Sequence, residues 1–317
     1  MTTGYEKMMG APSVADLVKR VTGYATASMD FINENIELEN PLGAYFPFVP
    51  TKLARMEMWT RQGAGGVMGV SRSAAIPATK PLLRRWEKEI DTDKYAYTLT
   101  NKAIEDAFDD LAGQDALDAN IFFAAARYWK QVTALVAGAG KSIASGGTWE
   151  STSAESSIVE ALTYLDDMGY NPNWGPRLVV YPARAGAGIL QARSIRGGMD
   201  STANVIKSSF PDVRFIPNSP FRAMNNELTI DILAGSDSDA LSTNALVVVG
   251  NAARVMDCKE YTFQKTPNVF VDVTADYGYT TILHRANDVM IRKLRSTSSS
   301  ATTNPLIVKI TGAAAAR

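Results

Sequence analysis

His284 is the only histidine and Cys258 the only cysteine in the 317-residue chain. A lone imidazole is a candidate general base, but it acts only with a nucleophile and an orienting acid placed around it. The sequence contains no G-x-S-x-G elbow to supply that nucleophile. His284 lies in "TTILHRANDVM". Strand alternation there sets Tyr277, Tyr279, Thr281 and Leu283 on one face and Gly278, Thr280, Ile282 and His284 on the other. His284 therefore reads as a strand residue whose charge changes at about pH 6–7, not as a catalytic base.

Two glycine-rich stretches invite a phosphate-binding reading. "AGAGKS" (137–142) resembles the end of a P-loop, yet Leu135 stands where the first loop glycine is needed. It also follows a long helical pattern where a P-loop follows a strand, so a helix end running into a flexible loop is expected. "YPARAGAGILQ" (181–191) does follow a strand. Gly186 and Gly188 fit a dinucleotide fingerprint, but Gln191 takes the third glycine's place and no acidic ribose ligand follows. The acidic pairs Asp109–Asp110 and Asp166–Asp167 fall on expected helices, where adjacent side chains diverge, and read as solvated faces. With one His and one Cys the common zinc ligand sets cannot be assembled. Neither a catalytic, a cofactor nor a metal site is expected.

The elements around these residues are more informative. The chain is 46% hydrophobic and 21% charged, with 32 basic and 33 acidic residues. This is the balance of a globular protein rather than a dedicated nucleic-acid binder. No apolar run approaches the ~18 residues of a membrane helix, and the N-terminus lacks the order of a signal peptide. The expectation is a soluble protein folded in a reducing interior, with no membrane partner.

An amphipathic helix is expected over 13–35. "ENPLGAYFPFVP" follows, in which three prolines favour an extended arm carrying Tyr45, Phe46 and Phe48. Such an arm lies on its own core or on a neighbour. "LARMEMWTRQ" and "LLRRWEKEID" read as strands dense in charge, with Arg55, Glu57 and Arg61 on one and Arg84, Arg85 and Glu87 on the other. The segment between them is rich in small residues, including Gly63, Gly65 and Gly66. Together they predict a two-stranded ribbon with a flexible tip. A free ribbon is marginal in water, so its face is expected to be covered by another subunit.

After a short strand, apolar spacing from about Asn101 to Ala137 predicts a helix of roughly 55 Å, a strut. Residues 157–250 alternate helix and strand as a compact inserted α/β unit. Residues 255–294 read as a β-meander with a turn at Asn287–Asp288, and "PLIVKI" as a short strand after a linker.

In this order the elements resemble the major capsid protein fold of tailed double-stranded DNA phages, the Hong Kong phage type shared with encapsulins. The resemblance is carried by the arm, the charged glycine-tipped ribbon, "KYAYTLTNKAIEDAFDDL" entering the long helix, the α/β insert and the closing "FVDVTADYGYTTILHRANDVMI". Arg285 and Asp288 stand one residue further apart than in that family's R-x-D-x-x-V finish. The resemblance implies an α+β fold with residues 1–50 as N-terminal arm and 51–92 as extended loop (E-loop). It makes 93–150 and 251–317 a peripheral domain with a spine helix and β-meander, and 151–250 an axial domain.

It further implies a protein without enzymatic activity that assembles through pentamers and hexamers into an icosahedral shell around DNA, formed in the host cytoplasm as a virion capsid. Scaffold, portal and decoration proteins are the partners such a shell would have, and packaged DNA would be touched non-specifically. Some members join subunits by a Lys–Asn bond; Lys80, near the ribbon tip, is the one obvious lysine and is assigned no such role. Tyr45, Phe46, Phe48 and the charged and glycine residues of the ribbon become expected intersubunit contacts. The alternatives are an encapsulin-like compartment around a cargo enzyme and a nucleotide-dependent enzyme built on 157–250.

Overall fold

The computed structural model describes residues 19–28, 30, 34, 40–62, 82–99, 101–150, 154–191, 200–218, 241–261, 269–274, 278–292 and 303–315. The ribbon tip, including Gly63, Gly65, Gly66 and Lys80, lies outside them, as does the expected strand "LTIDIL".

The strut is helix α1, Asn101–Ala137, with the bounds its apolar spacing predicts. From Phe122 to Trp129 every residue of α1 is buried, because it is covered on more than one side. On one side lies a sheet of β1 (Val49–Thr51), β4 (Thr92–Leu99), β9 (Met256–Tyr261), β10 (Val269–Thr274) and β11 (Gly278–Ile291). Tyr95 on β4 meets Phe122 on α1 with ring centroids 5.5 Å apart. On β11 the residues level with β4's Tyr95 and Tyr97 are Leu283 and Thr281, and both are fully buried.

The turn expected at Asn287–Asp288 does not exist. β11 runs unbroken through both residues, pairing with β10 over its first half and β9 over its second, while β4 takes the opposite edge. Two adjacent polar residues imitate a turn in sequence. Here both are buried, and their partners come from far along the chain: the Asn287 N–H donates to Asp91 O, and Lys88 Nζ to Asp288 Oδ1 at 2.7 Å.

The second sheet has the order β5–β12–β8–β6–β7: Ala139–Ala144, Asn304–Thr311, Ala245–Val249, Arg177–Pro182 and Val213–Asn218. Its central strands β6 and β8 are buried at every position, as strands covered on both faces must be. Helices α2 (Glu155–Asp167) and α3 (Thr202–Ser209) accompany it. α2 stops before Gly169, whose φ of +80° suits glycine at a helix end. β5 and β12, which complete this sheet, come from either side of 151–250.

In the "AGAGKS" stretch Ala137 ends α1, as expected, but the expected loop is corrected: residues from Ala139 on form strand β5, parallel to β12. Gly140 is required there, since a Cβ would sit 2.6 Å from the Asn304 carbonyl oxygen. The expected helix near 182–193 is instead a 3-10 turn, Ala183–Gly186, followed by a π-helical turn, Ala187–Gln191. Short helix α4 (Ala252–Val255) leads into β9.

The two sheets share one core. Tyr128 on α1 donates to Asn218 at the end of β7, 2.7 Å away. Asn304 at the start of β12 donates to the carbonyls of Arg254 and Arg292 and accepts from Leu306 N–H at 2.8 Å.

Candidate assembly surface

Strands β2 (Arg55–Gln62) and β3 (Leu82–Glu89) form the expected antiparallel ribbon. Alternation divides its base into two faces. One carries Met56 and Met58, which are buried. The expectation that the ribbon has no face to bury within its own chain is therefore corrected at its root. There the ion pair Lys88–Asp288 ties β3 to β11, and Ile90 N–H closes on Ala54 O.

The other face is open. Glu57 stands directly opposite Glu87, an arrangement that repels. Arg85 resolves it, with its guanidinium 2.5 Å from a carboxylate oxygen of each. Arg55 adds contacts of 3.0 Å to Glu57 and 3.8 Å to Glu87. Beside them Trp59 is 57% exposed, its ring 5.8 Å from the Arg85 guanidinium. Exposed ion pairs of this kind contribute ~0–1 kcal/mol each to the fold that carries them. The sequence singled out the charges of this face but missed Trp59. A tryptophan in a charged strand, paired with Arg85 across the ribbon, is the signal that would have found it. Arg61 and Arg84 fall on the same two strands, level with Leu83 and Thr60; their side chains lie outside the described residues.

The aromatic arm is placed differently from expectation. Residues 40–46 turn back in place of extending: Tyr45 and Phe46 N–H both donate to Leu42 O. Phe46 and Phe48 are buried in the chain's own core, and Tyr45 packs against it. Gln131 on α1 accepts from Asn40 at 2.9 Å and donates to Phe46 O at 2.8 Å, and the Arg127 guanidinium lies 4.1 Å from the Phe48 ring. Phe46 and Phe48 are thus corrected from intersubunit contacts to core residues, because polar groups of α1 satisfy the backbone of a segment that sequence leaves unpartnered.

The remaining candidates form no catalytic arrangement. His284 stands across from Lys94 on the sheet face away from α1. Burial first, and Lys94 second, hold its pKa below the usual value. Cys258 is buried, and burial pushes its thiol up to about 12. Lys141 of the P-loop-like stretch lies 5.9 Å from the Tyr164 ring. Asp166 pairs with Arg177 at 2.8 Å in place of facing only solvent. Among the described residues no group of three or more His, Cys, Asp or Glu could hold a metal ion, and no helix is long and apolar enough to cross a membrane.

No family model and no curated protein matches the sequence. Solved structures do. A virus-like particle from Pyrococcus furiosus superposes with a TM-score of 0.56 at 14% identity, over 90% of this chain and 98% of that one. The capsid of an empty GTA particle matches with a TM-score of 0.54 at 11% identity, over 87% and 90% of the two chains. The mature capsid of bacteriophage PhiM1 matches with 0.54 at 9% identity, over 86% of each chain. The chain has the phage major-capsid fold. Within that fold, α1 packs on the β11 sheet and reaches the β8 sheet through Tyr128 and Asn218, and the root of the ribbon is tied to β11 by Lys88 and Asp288.

Proposed function

We propose that this chain is a major capsid protein, a structural subunit that assembles with copies of itself into a closed icosahedral shell. The observation that carries the reading is the extent of the structural match: nine-tenths of this chain superposes on nearly the whole of a particle-forming protein. The ribbon supplies a physical reason for self-association. Its open face presents two arginines, three glutamates (Glu57, Glu87 and Glu89) and an exposed tryptophan, weakly used by its own subunit.

In this reading the subunits form pentamers and hexamers, residues 51–92 act as the extended loop and 151–250 as the axial domain. The shell encloses double-stranded DNA as a virion capsid assembled in the host cytoplasm. It has no enzymatic role. A net charge of -1 suits an inner wall that tolerates DNA without gripping it. The match to a virus-like particle favours a second reading, an encapsulin-like compartment. Nucleic acid recovered from purified shells supports the first, and a protein cargo the second.

Deleting residues 63–76 tests the ribbon. The deletion leaves a folded subunit, by circular dichroism and cooperative melting, that fails to form closed shells. An unfolded subunit would instead place the segment in the core and contradict the assignment.

A further inference from the structure

A pocket of about 420 Å³ opens at the root of the ribbon, between α1, β3, β4 and β11. Part of its lining, Phe122, Trp129 and Val289, is apolar and almost wholly buried. Thr133 and Ala137, one turn apart on α1, line it too and are exposed, as is Asp91. The ammonium groups on the lining are already engaged, Lys88 by Asp288 and Lys130 by Asp93. Most of the wall that stays open to solvent is therefore apolar, and covering it with another apolar group is favourable.

The ribbon carries a group that would fill such a hole. Trp59 is the largest exposed apolar side chain among the described residues. It does not reach the pocket of its own chain. The ribbon register sets Met56 opposite Lys88 on one face, and Glu57 opposite Glu87 and Trp59 opposite Arg85 on the other. Lys88 lines the pocket, so the pocket lies on the Met56 side and Trp59 stands on the far side. One chain thus has an apolar knob and an apolar hole on opposite sides of the same ribbon root.

We propose that Trp59 of one copy of this chain docks into the ribbon-root pocket of a second copy, a contact that rests on the reading of the chain as a self-assembling subunit. Knob and hole are different patches, so the contact is heterologous: each copy gives its tryptophan to one neighbour and receives that of another. A contact of this kind closes a ring when its rotation allows, whereas two ribbon faces meeting across a two-fold axis would stop at a dimer. Burial of the indole against the apolar wall supplies the attraction. Charge has the smaller part. Arg85, beside the Trp59 ring, comes with it towards a lining that includes Asp91, but its guanidinium is already shared by Glu57 and Glu87.

The test follows assembly of the purified full-length chain by sedimentation velocity over a concentration series, with cooperative melting to show that each variant is folded. Trp59→Ala is expected to raise the midpoint concentration for assembly roughly thirtyfold, the loss that truncating an aromatic anchor brings. Thr133→Trp, or Ala137→Leu as a second choice, fills the hole from its exposed lining and has an effect of similar size. The double variant is no worse than either single one, because both changes remove the same contact. Chains carrying Glu57→Cys and chains carrying Thr133→Cys, mixed under assembling conditions, cross-link to each other through a short bismaleimide, and neither to its own kind; the native Cys258 is buried. Additive losses, unchanged assembly of Trp59→Ala, or cross-links only between Glu57→Cys chains overturn the docking and leave the self-assembly reading standing. A wild-type chain that stays monomeric overturns both.

Discussion

Arg177 is 4% exposed and is held on every side. Two of its nitrogens meet Asp212 at 2.7 Å and a third meets Asp166 at 2.8 Å, while Tyr170 and Phe210 flank its guanidinium at 4.5 and 4.9 Å. The hydrogen bonds from Arg177 hold the Asp212 carboxyl below its ordinary pKa of 3.8. A depressed carboxyl contributes stability that is present above its unfolded pKa and lost as pH falls through the folded one. Arg177→Leu is therefore expected to cost about 3 kcal/mol at neutral pH, chiefly by stranding Asp212. In urea unfolding the gap from wild type narrows below about pH 4.

Asp115 shows the opposite sign. Burial first, and Asp118 second, raise its pKa to about 6, so its charged form opposes folding. Its contribution is present below the unfolded value and is lost as pH rises towards 6. Asp115→Asn is expected to raise the melting temperature at pH 8 and leave it little changed at pH 3.5; a fall at pH 8 would contradict this account. At this scale the sequence marks Leu135 and Gln191 where phosphate-binding loops would carry glycine. It was silent on Arg177, because nothing local to Arg177 announces Asp212, which lies thirty-five positions away.

At the scale of elements, local periodicity carried α1 and the ribbon, since helical spacing and charged alternation are properties of a single segment. Pairing with distant segments was not legible. β11 was split at Asn287–Asp288 because those residues look like a turn until Asp91 and Lys88 are brought to them. β5 looked like a loop because its glycine serves close packing on Asn304, a contact made across the chain. Pro41, Pro47 and Pro50 predict an extended arm, and the amide of Gln131 on α1, with the Leu42 carbonyl, holds it folded back. Its burial gives a direct prediction. Phe46→Ala removes a fully buried side chain and is expected to destabilise the isolated subunit by about 3–5 kcal/mol. Unchanged subunit stability with impaired association would return Phe46 to an interface.

At the scale of the whole molecule, two packed sheets and a ribbon with one open face suit the proposed assembly, in which ribbons and bodies of different copies meet. One subunit keeps Trp59 exposed and uses four ribbon charges on one another, for a net gain of ~1 kcal/mol or less per pair. In the proposed function, burial of that face against another copy, repeated by symmetry, closes an assembly. The most direct measurement is light scattering with negative-stain microscopy of the purified full-length chain expressed alone. The account predicts pentamers, hexamers or closed angular shells. A chain that stays monomeric at high concentration, both alone and when co-expressed with the neighbouring genes of its source, would contradict it.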